Sequence, residues 1–353
     1  GIGAGNQMTA IIPTLPVEGR VTYTITATAP GIGFFSNSAV VTPPPGVDDP
    51  DPIDNLGGPV ITSTLTLPTI PGDQMAGSIL IYNVYTSTVS TSREDTRLTL
   101  TNSHQRQSVN VHLFFVDGVS GRVADNYVSL TPQQTVSFLA SDLDPGVTGY
   151  LLAVAVDDHG CPINFNYLIG SEDVKFESGH RTSLGALAIP AEGGPILCDP
   201  NATTTRLYFD GVSYSALPRT LAIDSLASRS EGNRTMLIVN RISGDLTTAT
   251  DPVESLAGFI YDDVEKASSF SMSSANGQLR AMLGNSTPRS VPRYDVIIPA
   301  GRTGWMKFAS ASDVGLTGAV INLNPNGFTG GHNLHMLTTT DVSFINIPVY
   351  PPQ

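Results

Sequence analysis

Apolar residues along this chain recur at every second position, in short runs separated by turn residues. Residues 20–29 (RVTYTITATA) alternate strictly, with Val21, Tyr23, Ile25 and Ala27 on one face and the threonines on the other. Period-two alternation predicts a half-buried strand. A second strand is predicted over 34–41, after the Pro30-Gly31 turn. Further along, strands are expected at 61–67, 78–86, 96–101, 109–116, 127–130, 135–139, 150–156 and 161–169. A later set is expected at 206–209, 220–223, 234–240, 258–261, 268–272, 279–282, 294–298, 304–309 and 319–323. Residues 334–339 and 342–349 read as a closing hairpin, and 183–188 as a short helix.

One plan occurs twice. Residues 131–156 and 298–323 each begin with a turn proline, Pro132 and Pro299. A strand with an early Thr follows, Thr135 or Thr303, and carries Phe138 or Met306 three places on. After an Asp-bearing loop, Thr148-Gly149 and Thr317-Gly318 open a near-continuous apolar strand. Recurrence of such a unit predicts a duplicated β-sandwich module. The fold class expected is all-β: two β-sandwich modules of jelly-roll or Ig-like type, 60–195 and 196–353. A partial Ig-like segment (1–41) and a Pro/Asp linker (42–59) precede them.

Composition supports this class and narrows the setting. The chain has 353 residues, of which only 14% are charged, well below the usual ~25%. Ser, Thr, Gly, Pro and Asn fill the difference, which favours strands and turns over salt-bridged helices. A net charge of −13, with only Lys175, Lys266 and Lys307 as lysines, opposes nucleic acid and anionic membrane as partners. No apolar run is long enough for a membrane-spanning helix, so membrane insertion is not expected. The start without Met fits a mature protein after signal cleavage, or a fragment. Cys161 and Cys198 are expected to pair as a disulfide, which suits an oxidising exterior. Asn201, Asn233 and Asn285 lie in sequons that permit glycosylation.

Two stretches resemble known families. GRVTYTITATAPG and FSNSAVVTPPPGVDDPDPIDN, within residues 17–55, resemble the C-terminal part of the conserved-repeat Ig-like domain of large bacterial surface proteins. The resemblance implies two sandwich-closing strands followed by an acidic connection. A whole sandwich needs about seven strands, so its missing half is expected upstream or on another chain. NVHLFFVDG, VSLTPQQTVSFLASDLDPGVTGYLLAVAVD and GCPINFNYLIG, over residues 75–185, resemble a set found in uncharacterised secreted bacterial β-sandwich surface proteins. That resemblance implies location and fold, not chemistry.

Candidate chemistry is sparse. His332 and His335 are the one close histidine pair, but residues three apart on a strand face opposite ways. They converge on a metal only in a turn, so a structural role is expected and no metal site is assigned. Asp157-Asp158 and Asp262-Asp263 with Glu265 follow apolar strands, an arrangement that suits glycoside hydrolysis or Ca²⁺. Trp305, the lone Trp, is placed by the repeat in the core. Asp48, Asp49, Asp51 and Asp54 depart from the EF-hand spacing and are read as a solvated hinge. No catalytic role and no cofactor is expected, with Ca²⁺ as the one candidate ion.

The expected function is a secreted, extracellular structural protein: a subunit of a filament or pilus-like fibre assembled with copies of itself by β-strand addition. The interface is expected at Val21, Tyr23, Ile25, Phe34, Phe35, Val40 and Val41. The alternative is a monomeric adhesin that binds surface glycans, with Ca²⁺ or without. Its site is expected in the loops 142–147 or 157–160. A carbohydrate-active enzyme and a viral coat protein are weaker alternatives.

Overall fold

The computed structural model describes all residues except 1, 5–6, 17–18, 25–33, 52–53, 64–70, 89–93, 325–326, 328 and 353; in 2–4, 7–8, 34–37 and 59–63 it describes the backbone only. The chain forms two compact units, Gly1–Thr66 and Leu67–Gln353.

The first unit contains β1 (Ile2–Ala4), β2 (Gln7–Thr9), β3 (Phe34–Val40) and β4 (Leu56–Ser63). β1 pairs with β2 and β3 with β4, both antiparallel. The Pro/Asp stretch 42–59 is therefore not an extended linker: it is the loop of a hairpin and the first half of its return strand. Backbone N–H groups close the loop, Val41 to Asn55 and Val47 to Pro44, and Asp49 accepts from Asp51 N–H and the Asn55 amide. Of the strand expected at 20–29, residues 20–24 have no strand pairing and 25–29 lie outside the described residues. Alternation supplies a face, but a strand also needs a partner for its N–H and C=O groups.

The second unit opens with β5 (Ile79–Thr86), β6 (Asp95–Asn102), β7 (Val109–Asp117), β8 (Val123–Leu130) and β9 (Thr135–Leu139). A helical turn, α1 (Ala140–Leu143), leads to β10 (Thr148–Val156), β11 (Leu168–Lys175), β12 (Arg181–Gly185) and β13 (Leu187–Ile189). Next come β14 (Thr204–Phe209), β15 (Pro218–Ala227), β16 (Arg234–Ile242), β17 (Gly244–Asp245), β18 (Ala249–Thr250) and β19 (Glu254–Asp262). After β20 (Ala267–Ser274), β21 (Gln278–Met282), β22 (Arg289–Ser290) and α2 (Tyr294–Ile297), the chain forms β23 (Thr303–Ser310) and β24 (Gly315–Leu323). It closes with β25 (Gly330–Asn333), β26 (His335–Thr339) and β27 (Ser343–Pro348).

These strands make two sandwiches. In the first, the sheet β13-β5-β10-β7-β8 faces β12-β11-β6-β9 across a core that includes Tyr82, Leu100, Phe115 and Leu151. In the second, β22-β20-β19-β23-β15-β26 faces β21-β16-β24-β25 across Ile223, Val239, Met306 and Phe308. The repeated stretches do equivalent work. β9 pairs with β6 and β10 with β7, while β23 pairs with β15 and β24 with β16, so each repeat crosses from one sheet of its sandwich to the other. Gly149 and Gly318 also match in cause. A Cβ would stand 1.7 Å from the Val116 carbonyl oxygen at the first and 2.1 Å from that of Ile238 at the second, so neither position accepts a side chain.

The sandwiches are not independent modules. A further sheet, β14-β27-β17-β18, comes wholly from residues after 195, yet it covers the outer face of the first sandwich's five-stranded sheet. Leu207, Phe209, Ile345 and Ile347 there pack on Ile79, Phe114, Leu152 and Val154. In the opposite direction, Val84, Val174, Phe176 and Leu184 cover Ile238, Ala319 and Ile321 on the outer face of β16 and β24. The expected boundary at 195–196 is crossed by both layers, which is why residues 67–353 form one unit. The disulfide joins Cys161 to Cys198, with 5.8 Å between Cα atoms, and ties the β10–β11 connection to the approach to β14.

Four local expectations are overturned. Residues 183–188 contribute to β12 and β13, not to a helix, because their backbone groups pair with β11 and β5. Of residues 294–298, 294–297 form α2, where Tyr294 and Ile297 reach the core from a single helical turn. Residues 161–167 stay irregular: Pro162 lacks a donor, and Phe165 sinks into the core, with Ile163 packed beside it, before β11 begins. β26 and β27 do not form a hairpin, since β26 joins β15 and β27 joins β14.

Because β10 is covered on both faces, Leu151→Ala and Leu152→Ala are each expected to cost about 2–5 kcal/mol in guanidinium unfolding. A large loss from only one of the two would contradict the three-layer packing.

Candidate functional site

The seam between the sandwiches is polar at its centre. Asn83 on β5 lies against Asn240, Gln278, Thr317 and Asn333 from the second sandwich. Asn240 Nδ2 donates to the Asn83 carbonyl at 3.0 Å, and Gln278 Nε2 donates to Asn240 Oδ1 at 2.7 Å. Asn83 Nδ2 donates to Asn333 Oδ1 at 2.8 Å. The Asn333 amide donates in turn to Asp73 Oδ2 at 2.9 Å and to the Gly185 carbonyl at 2.7 Å. Buried amides need partners of this kind, because leaving one unpaired costs about 1–3 kcal/mol. Beside them, Glu172 of β11 is fully buried and accepts from the Val84 N–H. Burial holds its carboxyl well above the ordinary 4.5, opposed by backbone N–H donors and by the Arg280 guanidinium.

Asn333 also shapes the chain around it. Its side chain is held by three partners, and Leu334 N–H donates to the Gly318 carbonyl at 3.0 Å. The strand breaks at Leu334, so His332 lies in β25, which ends at Asn333, and His335 begins β26. The two imidazoles therefore lie near each other, with ring centroids 5.4 Å apart, instead of on opposite faces. The expectation of separated histidines is corrected by this break. Asp224 joins them from β15: its Oδ1 is 3.2 Å from His332 Nε2 and its Oδ2 is 3.7 Å from His335 Nε2. Asp224 sits where the β15 register against β23 shifts between Ile223 and Leu226, a bulge that redirects its side chain. A groove of about 360 Å³ runs past all three residues to Asp73 and Asn83.

The other predicted residues scatter. Val40 and Val41 are exposed and Val21 and Tyr23 about half-exposed; the side chains of Phe34 and Phe35, and the whole of Ile25, lie outside the described residues. Of the acidic pairs, Asp157 and Asp262 close local turns, whereas Asp158 accepts from the Asn110 amide. Asp157 Oδ1 accepts from His159 and Cys161 N–H, Asp262 Oδ1 accepts from Val264 and Lys266 N–H, and Asp263 pairs with Arg302. The loop 142–147 contributes Gly146 and Val147 to a cavity of about 670 Å³ that also meets Glu94, Asp117 and Arg280. Asn201 is exposed, whereas Asn233 and Asn285 already bond through their amides to the Ser228 carbonyl and Asp295.

Trp305 is not a core residue. Met306 and Phe308 take the inward positions of β23, so period two turns Trp305 outward. There it stacks on Tyr261 with centroids 4.4 Å apart and planes at 7°, and Lys307 Nζ lies 5.6 Å from the Tyr261 ring centroid. His112, buried against Tyr127, bonds to Asp125 at 2.7 Å; burial lowers its pKa below the ordinary imidazole value.

No protein-family model matches the chain, and no curated protein matches it. Among solved structures, the crystal structure of Thermotoga maritima 1070 aligns at 12% identity over 34% of this chain and 98% of that one, with a TM-score of 0.26. That likeness is too slight to carry an argument about fold or function.

Glu172 gives the seam a pH signature. Its folded pKa is raised, so its contribution is fully present below 4.5 and is lost as pH rises through the folded value. In urea unfolding, wild-type stability is expected to fall across that window by up to about 1.4 kcal/mol per unit of pKa displacement. Glu172→Gln is expected to flatten the profile, and an unchanged slope in that variant would assign the dependence to other groups.

Proposed function

We propose that this is an extracellular structural protein whose first unit joins copies of the chain into a fibre by β-strand addition. One observation carries the reading. β3 and β4 form a two-stranded sheet whose outer edges have no partner strand among the described residues. A lone hairpin is marginal in water, and each open edge presents a row of unpaired N–H and C=O groups. Its apolar side chains are uncovered as well: Val40 is 70% exposed, Val41 64% and Leu56 58%. Strand addition to a neighbouring copy supplies backbone partners and covers that surface, and head-to-tail repetition makes an open polymer. Sparse charge and the disulfide suit an exported protein, and no helix of the described residues is long and apolar enough to cross a membrane. The reading assigns no catalytic role.

A second reading is a monomeric glycan-binding adhesin. The 670 Å³ cavity beside Gly146 and Val147, with its carboxylates and Arg280, favours it. The outward Tyr261–Trp305 pair supplies aromatic surface of the kind that sugar rings use.

Negative-stain microscopy and light scattering of the purified chain separate the two. Regular fibres are expected, together with their loss on deletion of residues 1–66 or in Val40→Asp/Leu56→Asp. A monodisperse 37.2 kDa monomer that binds a glycan array would replace the fibre reading with the adhesin.

A further inference from the structure

We propose that Asp224, His332 and His335 form a binding site for a divalent transition-metal ion of the Zn²⁺ class. The proposal is independent of whether the chain polymerises.

The ligand set is the first argument. Two imidazole nitrogens and one carboxylate oxygen suit zinc and its first-row neighbours, whereas Ca²⁺ and Mg²⁺ take oxygen ligands. One donor atom from each of the three side chains lies within 4.8 Å of the others. Geometry is the second argument. Tetrahedral zinc with bonds of 2.0–2.1 Å places neighbouring ligand atoms about 3.3 Å apart. The carboxylate oxygens already stand 3.2 and 3.7 Å from the two Nε2 atoms. An ion between them therefore asks for small side-chain adjustments and no movement of the strands.

The third argument is the support behind the ligands. His332 Nδ1 lies 2.9 Å from the Asn333 carbonyl oxygen, a bond that requires the proton on Nδ1 and leaves Nε2, which faces Asp224, as the nitrogen for an ion. Metal-binding histidines are commonly fixed through their second nitrogen in this way. Asn333 is itself fixed by Asp73, Gly185 and Asn83, so the seam holds His332 in place. His335 and Asp224 sit on the adjacent paired strands β26 and β15, where His335 is registered with Ala222. The side chains are 45%, 54% and 59% exposed for His332, His335 and Asp224, so the fourth position faces solvent. Structural zinc sites are closed by four protein ligands; three ligands with an open position leave room for water or an added ligand.

Zn²⁺ titration by calorimetry, with Co²⁺ absorption as a spectroscopic probe, tests this on the tag-free full chain at neutral pH. One ion per chain is expected, unaffected by equimolar Ca²⁺ and removed by a chelator. His332→Ala and His335→Ala are each expected to lose more than the about 10–100-fold that removal of an outer partner costs. Asp224→Asn provides the same test if either histidine variant fails to fold, as judged by circular dichroism. Absence of Zn²⁺ binding to the wild type, or unchanged affinity in His332→Ala/His335→Ala, would overturn the site and leave Asp224 as a plain ion-pair partner of the two histidines.

Discussion

Leu151 and Leu152 point to opposite faces of β10, and neither meets water. The same holds for Val320 and Ile321 on β24, which belong to different apolar clusters. This double burial governs the larger unit. A strand covered on both faces needs a layer on each side, and the two sandwiches provide those layers for one another. The sheet β14-β27-β17-β18 closes the outside of β10, while β5, β11 and β12 close the outside of β16 and β24. Each fully buried Val, Leu, Ile or Phe side chain contributes roughly 1.5–3 kcal/mol relative to exposure. Separating the sandwiches would expose a full face of each.

Apolar layers alone leave register loosely defined, since one apolar face slides over another at modest cost. The amides at the seam are directional. Gln278 reaches Asn240 and the Asn83 and Gly149 carbonyls, and Asn333 reaches Asp73 and Gly185. A shift of one residue would break several of these bonds at once inside a medium with no water to replace them. The seam is thus fixed by polar bonds and covered by apolar layers. The break of the chain at Leu334, and with it the meeting of His332 and His335, follows from the same bonds.

Much of this was legible in the sequence, for physical reasons. Period-two alternation marks strands with one wet face, as in β20, where Ser268, Phe270 and Met272 point inward. Continuous apolar runs mark the strands buried on both faces, and the doubled Thr-Gly marks the close backbone approach at Gly149 and Gly318. The pairing of Cys161 with Cys198 was legible from count and composition. What was not legible depends on distant partners. Residues 183–188 carry no helix or strand period strong enough to outweigh their neighbours, and pairing with β11 and β5 decides them. Asp224 has no local mark that connects it to two histidines more than a hundred positions later; only the pairing of β15 with β26 brings them together. Trp305 was misplaced by the repeat, although Met306 beside it takes the inward position and so turns Trp305 outward.

The last strands also set an order of events during synthesis. β10 ends at Val156, but the layer that shields its outer face is completed by β27, which begins at Ser343. Beyond it, the Tyr350 carbonyl accepts from Tyr127 Oη at 2.9 Å and packs against Gly160, so this segment returns to the first sandwich. Until that segment emerges, the cover over Phe114, Leu152 and Val154 lacks Ile345 and Ile347. The nascent polypeptide cannot complete its first half before its second half exists, and the apolar sheet stays partly open through the interval. Long-range closure of this kind is slow and prone to association.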